Sequence, residues 1–177
     1  MKLREKSNSN NLNRKSPSQK ILGIDAGTTR VGFAILENQK KQKTKIIKYG
    51  LMPVNSQQHN LRIKQIYEYT KKLIKKYKPQ TVVIERLYYY LNRKTAFEVS
   101  QAIGVINLAC TQLNTPLFLI NPTQVKKVIA NKGNANKKEI QQEILCKFNG
   151  QIEKKQIIDD ITDAIAIALS FIKLNPK

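Results

Sequence analysis

Apolar residues along the chain follow two periods, and the switches between them mark out the elements. From residue 20 the pattern is that of strands: 20–25 (KILGID), then 30–37 (RVGFAILE) beyond a Gly/Thr turn, then 45–52 beyond a Lys/Gln-rich turn at 38–44. Three strands with short connections predict an antiparallel meander. The period then lengthens. Over 58–78, Ile63, Ile66, Tyr67, Thr70, Leu73, Ile74 and Tyr77 recur at helical spacing, Lys and Arg fill the other face, and Pro79 ends the segment. Residues 81–85 (TVVIE) make a short apolar strand ending in an acid. A helix over 94–113, a strand over 116–120 and helices over 122–130, 137–148 and 160–173 complete the chain. Wholly apolar late strands are strands buried on both faces. The order predicts an α/β domain over 20–177, a mixed five-stranded sheet (antiparallel meander, then parallel strands) with helices on both faces.

Composition narrows the class. At 177 residues, 41% hydrophobic and 25% charged, the chain has room for one well-cored globular domain. No run nears the roughly 18 apolar residues of a membrane span. Residues 1–19 are rich in Ser, Asn and Lys, lack periodicity and lack the apolar stretch of a secretory signal, so they read as a disordered basic tail. The formal charge of +20 and pI near 10 favour a polyanionic partner, nucleic acid before any membrane surface. Lys far outnumbers Arg, which a compositional bias also produces. Cys110 and Cys146 lie far apart and neither has a neighbour at metal-ligand spacing; they read as buried free thiols of a reducing cytoplasm.

Candidate chemistry resides in the acids. The chain has only four Asp, namely Asp25, Asp159, Asp160 and Asp163. Asp25 ends the first strand, Glu85 ends the fourth, and the other three open the last helix. Ligand crevices of open α/β sheets form at strand carboxyl ends. Asp160 and Asp163 share one helix face, and Asp163 precedes the apolar stretch AIAIALSFI, where a carboxylate needs a partner or a metal. Asp159 reads as the cap of that helix. Carboxylates gathered in this way repel one another unless a cation joins them, and hard oxygen donors without His or Cys suit Mg²⁺ or Mn²⁺. On so basic a protein, such a site points to two-metal phosphodiester hydrolysis.

These segments resemble the RuvC family of Holliday-junction resolvases, nucleases of the RNase H-like fold. ILGIDAGTTRVGFAIL is similar to the family's opening motif, VVIERLYYY to its second, INPTQVKKVIANKGNANKKEIQ to its basic segment and DDITDAIAIAL to its closing motif. The chain departs in having Ala26 before Gly27 where the family has Pro, and Asn131-Lys132-Gly133 at a Gly-x-Gly step. The resemblance implies that Asp25, Glu85, Asp160 and Asp163 are catalytic and bind two Mg²⁺ ions, with Mn²⁺ a substitute. It implies DNA contacts at Lys126 and Lys137, base stacking by Tyr88, and it groups Arg93 and Lys138 with the DNA-binding residues. It further implies a homodimer acting on four-way junction DNA in recombination and repair, with the RuvA–RuvB branch-migration complex as a candidate partner. The dimer contact is expected on the helix at 94–113, through Ala96, Ala102, Gly104 and Ala109.

Three other readings compete. IDAGTT also resembles the phosphate loop of actin-like ATPases, which need a second domain this chain has no room for. YqgF-like relatives of the same fold, linked to RNA processing, share the first motif but not the Tyr run with the long basic segment. A catalytically idle junction-binding protein would not require all four acids.

Overall fold

The computed structural model describes residues 18–39, 43–87, 93–153 and 158–176, with only the backbone for 93–95. Nearly all of the expected tail, together with Tyr88 and the side chain of Arg93, lies outside the described residues. Ten elements follow in the expected order: β1 (Gln19–Asp25), β2 (Gly32–Asn38), β3 (Lys45–Leu51), α1 (His59–Tyr77), β4 (Thr81–Glu85), α2 (Arg93–Gln112), β5 (Leu117–Ile120), α3 (Pro122–Ala130), α4 (Lys137–Lys147) and α5 (Asp159–Leu174). β1 starts one residue inside the expected tail. β2 starts at Gly32 rather than at residue 30, because Arg30 and Val31 belong to the turn that reverses the chain.

The strands lie in the order β3-β2-β1-β4-β5. β1–β2 and β2–β3 are antiparallel; β1–β4 and β4–β5 are parallel. The meander and the later parallel strands are therefore both present in one mixed sheet. β1 sits at its centre and is clothed on both sides, which is why ILGID is almost continuously apolar.

Alternation along β1 and β4 sorts residues between two cores. Leu22, Ile24, Val82 and Ile84 face α1 and α2, joined by Ile66, Leu73 and Ile106. Ile21 and Val83 face the opposite way, towards α3, α4 and α5. Asp25 and Glu85 have the same parity as Ile21 and Val83, so both acids emerge on the α5 side. The register pairs Ile24 with Ile84, which places the two acids side by side at the next step.

α5 is apolar around nearly its whole circumference because it lies between the sheet and α3/α4, buried from Ile161 to Ile172 apart from Asp163. It approaches β1 and β2 very closely. A Cβ added at Gly23 would stand 2.3 Å from the Ala164 carbonyl oxygen, and one at Gly32 would stand 1.9 Å from that of Asp160. Those obstacles are backbone atoms and cannot rotate aside. The first turn of α5 is therefore seated directly on the sheet, beside the end of β1.

Gly32→Ala should accordingly displace the start of α5. Overpacking of this kind costs about 1–3 kcal/mol or more, and a thermal melt should show a fall of roughly 5 °C or more. Any activity that depends on the acids opening α5 should, at a temperature where the variant is still folded, fall further than the stability loss accounts for.

Candidate active site

The two strand ends and the start of α5 converge on one cleft of about 410 Å³, whose walls include Asp25, Glu85, Asp163, Lys126 and Lys137. Asp160, the second residue of α5 and one turn before Asp163, is not among the cleft-lining residues but is near enough for its charge to act on Asp25. All four expected acids are thus brought together. Asp159 is not the cap of α5. Ile158 occupies the N-cap without a side-chain cap bond, and Asp159 is the first helical residue, accepting a 3.3 Å bond from Gln141 Nε2. The preceding residue being apolar, no capping carboxylate was available one step earlier.

Burial and mutual repulsion dominate the electrostatics. Burial, then the charges of Asp163, Asp160 and Glu85, push Asp25 up to about 7, against the smaller pull of Lys137. Burial and Asp163 push Glu85 up to about 7, with Lys126 and Lys137 opposing. Asp163 is raised too, by burial above all, although Lys137 partly offsets this. Lys137 is held above its ordinary range chiefly by Asp163. Such displaced carboxylates in a cleft mark a functional centre more often than a structural ion pair.

Two cations of the protein itself attend the cluster. Lys137 Nζ stands 3.6 Å from Asp163 Oδ2, and Arg30 Nη2 stands 3.0 Å from Asp160 Oδ2. The Arg30 contact is short but misaligned, so Asp160 Oδ2 is buried without a hydrogen bond. Among the described residues, no group of three or more His, Cys, Asp or Glu is arranged to hold an ion as it stands. The donor set nevertheless fits a hard divalent cation. It consists of carboxylates, three of them pushed towards protonation by burial first and by one another second, and a fourth with one oxygen lacking an aligned partner; a divalent charge would favour the ionised form of each.

Local sequence explains where the lysines point. In α4, Asn136 accepts from Glu139 N (3.0 Å) and donates its own backbone N–H to Glu139 Oε2 (2.9 Å), a reciprocal cap. That cap fixes Lys137 as the first helical residue, against Asp163. Asn131, in place of the family's glycine, closes α3 with φ 58°, a left-handed conformation that Asn tolerates. The departure from Gly-x-Gly therefore leaves this turn intact. Lys126 lines the cleft from α3, whereas Lys138 is exposed on α4 and is not among the cleft-lining residues.

Sequence reasoning missed Arg30 and Arg62. Arg62 donates from Nε to the Thr28 carbonyl (3.1 Å) and from Nη1 to that of Gln57 (2.9 Å), tying the turn after Asp25 to α1. An arginine five residues after Asp25, at the end of a Gly/Thr turn, was the available signal for Arg30.

An acid-lined cleft at the ends of two parallel strands, joined by acids of a crossing helix and bordered by lysines, on this mixed five-stranded sheet, is the arrangement that an RNase H-like nuclease calls for. Comparisons with known proteins specify the family. A family model described as "Crossover junction endodeoxyribonuclease RuvC" matches residues 21–171. Proteins of that name from Brachyspira hyodysenteriae and Fusobacterium nucleatum are 41% and 40% identical, covering 87% and 86% of this chain and 94% and 80% of theirs. The Thermus thermophilus RuvC structure superposes with a TM-score of 0.74 at 23% identity, over 88% of this chain and 96% of that one. The same protein is also solved in complex with Holliday junction substrate, with a TM-score of 0.74 at 22% identity over 86% and 92%. The chain belongs to the RuvC family of crossover junction endodeoxyribonucleases, and membership implies dependence on a divalent metal ion.

The raised carboxyls give a pH signature. Asp and Glu of an unfolded chain titrate near 4, so between about pH 4 and pH 7 the folded protein keeps protons that the unfolded chain has lost. Their contribution to stability therefore falls as pH rises through that window. In EDTA, Asp25→Asn should gain Tm relative to the parent between about pH 5 and about pH 8. The increment in parental Tm from added Mg²⁺ should grow over the same range, as protons cease to compete. Differential scanning calorimetry of both proteins checks the two slopes.

Proposed function

We propose that the protein is a structure-selective endonuclease that resolves four-way DNA junctions by paired symmetric nicks, with two Mg²⁺ ions per site and Mn²⁺ able to substitute. The convergence of Asp25, Glu85 and Asp163 on one lysine-bordered cleft, with the charge of Asp160 acting on Asp25 from one helical turn away, carries this reading. The name shared by the relatives supports the junction as substrate. In a site of this type the ions supply an activated water and stabilise the leaving oxygen.

The chain's own residues do the remaining work. Asp25, which feels the charges of Glu85, Asp160 and Asp163, would hold the ions together with those three acids. Lys126 and Lys137 neutralise backbone phosphates at the cleft mouth, assisted by Lys138 and Arg93. Tyr88, outside the described residues, is assigned by the family resemblance to stacking on an unpaired base. A net charge of +20 makes phosphate neutralisation the main source of affinity, so binding weakens steeply with salt. The protein works in the cytoplasm, and RuvA–RuvB is its candidate partner.

A two-fold dimer presents two equivalent sites to a roughly two-fold substrate. The contact envisaged through small residues of α2 does not stand in that form. Ala96, Ala102 and Ala109 are buried, with Ala102 in the core shared with α1 and the sheet. Small side chains permit close approach on either side of a helix, and here they serve the protein's own core. The outer side of α2 carries Phe97 (73% exposed) and Leu108 (49% exposed), with space around Gly104. That face is the better dimer surface. Sedimentation should show a dimer for the parent and a monomer for a Phe97→Glu/Leu108→Glu variant, with paired nicking lost.

The direct test compares a mobile four-way junction with linear duplex, in Mg²⁺ and in EDTA. Paired nicks confined to the junction and dependent on Mg²⁺ are expected. Asp25→Asn should abolish cleavage while junction affinity holds or rises, because a negative charge facing DNA is removed. Equal loss of cleavage and binding would overturn the assignment of Asp25.

A further inference from the structure

The turn after β1 is built as a rigid mount for one side chain. A Cβ at Gly27 would stand 2.1 Å from the Arg30 carbonyl oxygen, so the turn closes on itself there. Arg62 holds it at the Thr28 carbonyl, and Met52 N–H holds its far end at the Val31 carbonyl (2.8 Å). The mount is fixed at three points, yet the Arg30 side chain itself is 62% exposed. Its guanidinium reaches Asp160, whose side chain is only 17% exposed. The ion pair is short, but no nitrogen of Arg30 donates an aligned hydrogen bond to Oδ2. A long, mostly solvated cation on a fixed base, held to a buried carboxylate by charge without directional bonds, is easily exchanged for another cation.

We propose that Arg30 is an exchangeable counter-ion, paired with Asp160 until a divalent cation takes that carboxylate and then turned outward onto a phosphate of the bound DNA strand. The inference rests on the reading of Asp160 as a metal ligand. Two consequences follow, of opposite sign. Before metal arrives, Arg30 competes with it for Asp160 and adds a like charge beside it, so it weakens metal binding. After metal arrives, the planar guanidinium is free to meet phosphate oxygens in the paired geometry that suits them, so it strengthens DNA binding. Arg30 thus couples occupancy of the acids to grip on the strand.

The test uses the full chain and reads metal binding without DNA. Isothermal titration with Mn²⁺ alone should give a metal affinity about three- to tenfold higher for Arg30→Gln than for the parent, as expected for loss of one part-exposed competing pair. Arg30→Lys should return towards the parent. Junction affinity is then measured by fluorescence anisotropy in EDTA and in Ca²⁺, using the Asp25→Asn background as well to keep the DNA uncut. Arg30→Gln should bind like the parent in EDTA and about three- to tenfold more weakly in Ca²⁺. Unchanged or lower Mn²⁺ affinity in Arg30→Gln would overturn the proposal, as would an equal loss of junction affinity in both conditions. If the parent bound Mn²⁺ with no change on Asp160→Asn, the ligand assignment itself would fail, separately from the role of Arg30.

Discussion

Three carboxylates lining one cleft and a fourth close by repel each other, and at Asp25 and Glu85 this repulsion adds to the cost of taking charge out of water. Left alone, the arrangement would favour any rearrangement that separated the acids or returned them to solvent. It persists because the groups stand on elements that cannot retreat. Asp25 ends the central strand of the sheet, Glu85 ends its parallel neighbour, and Asp160 and Asp163 belong to the most deeply buried helix. The apolar packing of two cores therefore holds charges in a place their own electrostatics oppose. That stored penalty is what makes the cluster receptive to protons, to Arg30 and Lys137, and to divalent cations.

The seating of α5 is the second half of this constraint. Most helices rest on a sheet through their side chains, at a distance set by those side chains. Here glycine at Gly23 and Gly32, opposite Ala164, Ala168 and the Asp160 backbone, lets the helix backbone come down onto the strands. A helix standing off by the usual margin would carry Asp163 away from Asp25. The same contact explains why a helix so rich in alanine can be so thoroughly buried.

Much of this was legible in the residue pattern. The period of two through ILGID and TVVIE and the helical period of 58–78 gave the elements and their order. The scarcity of Asp made the positions of the four conspicuous. Other features depend on distant partners. Arg30 appears in the sequence as one more cation in a basic chain, and only the approach of α5 reveals its partner. Small residues in α2 signalled close packing without saying against what, and the three alanines turned out to be buried within the protein itself while Gly104 faces outward. Asp159 resembled a cap because caps are commonly acidic, but helical geometry starts at Asp159 itself. Asn131 departs from the family's glycine, yet its side chain tolerates the same left-handed backbone; of the two thiols expected to be buried, Cys110 is and Cys146 is exposed.

The alternation that puts Asp25 and Glu85 on the α5 side has a consequence for how this chain can change over time. Inserting one residue within β1 or β4 would preserve a strand of apolar side chains, and the sheet could still pair. It would also carry the terminal acid through the sheet to the side of α1 and α2, where no other acid of the cluster waits. Insertions of two would keep the side but move the acid about 7 Å along the strand axis. Lineages of this fold can thus vary freely in the turn beyond residue 38 and in the loops joining the helices, while the lengths of two short strands stay frozen by arithmetic rather than by the identity of any residue within them.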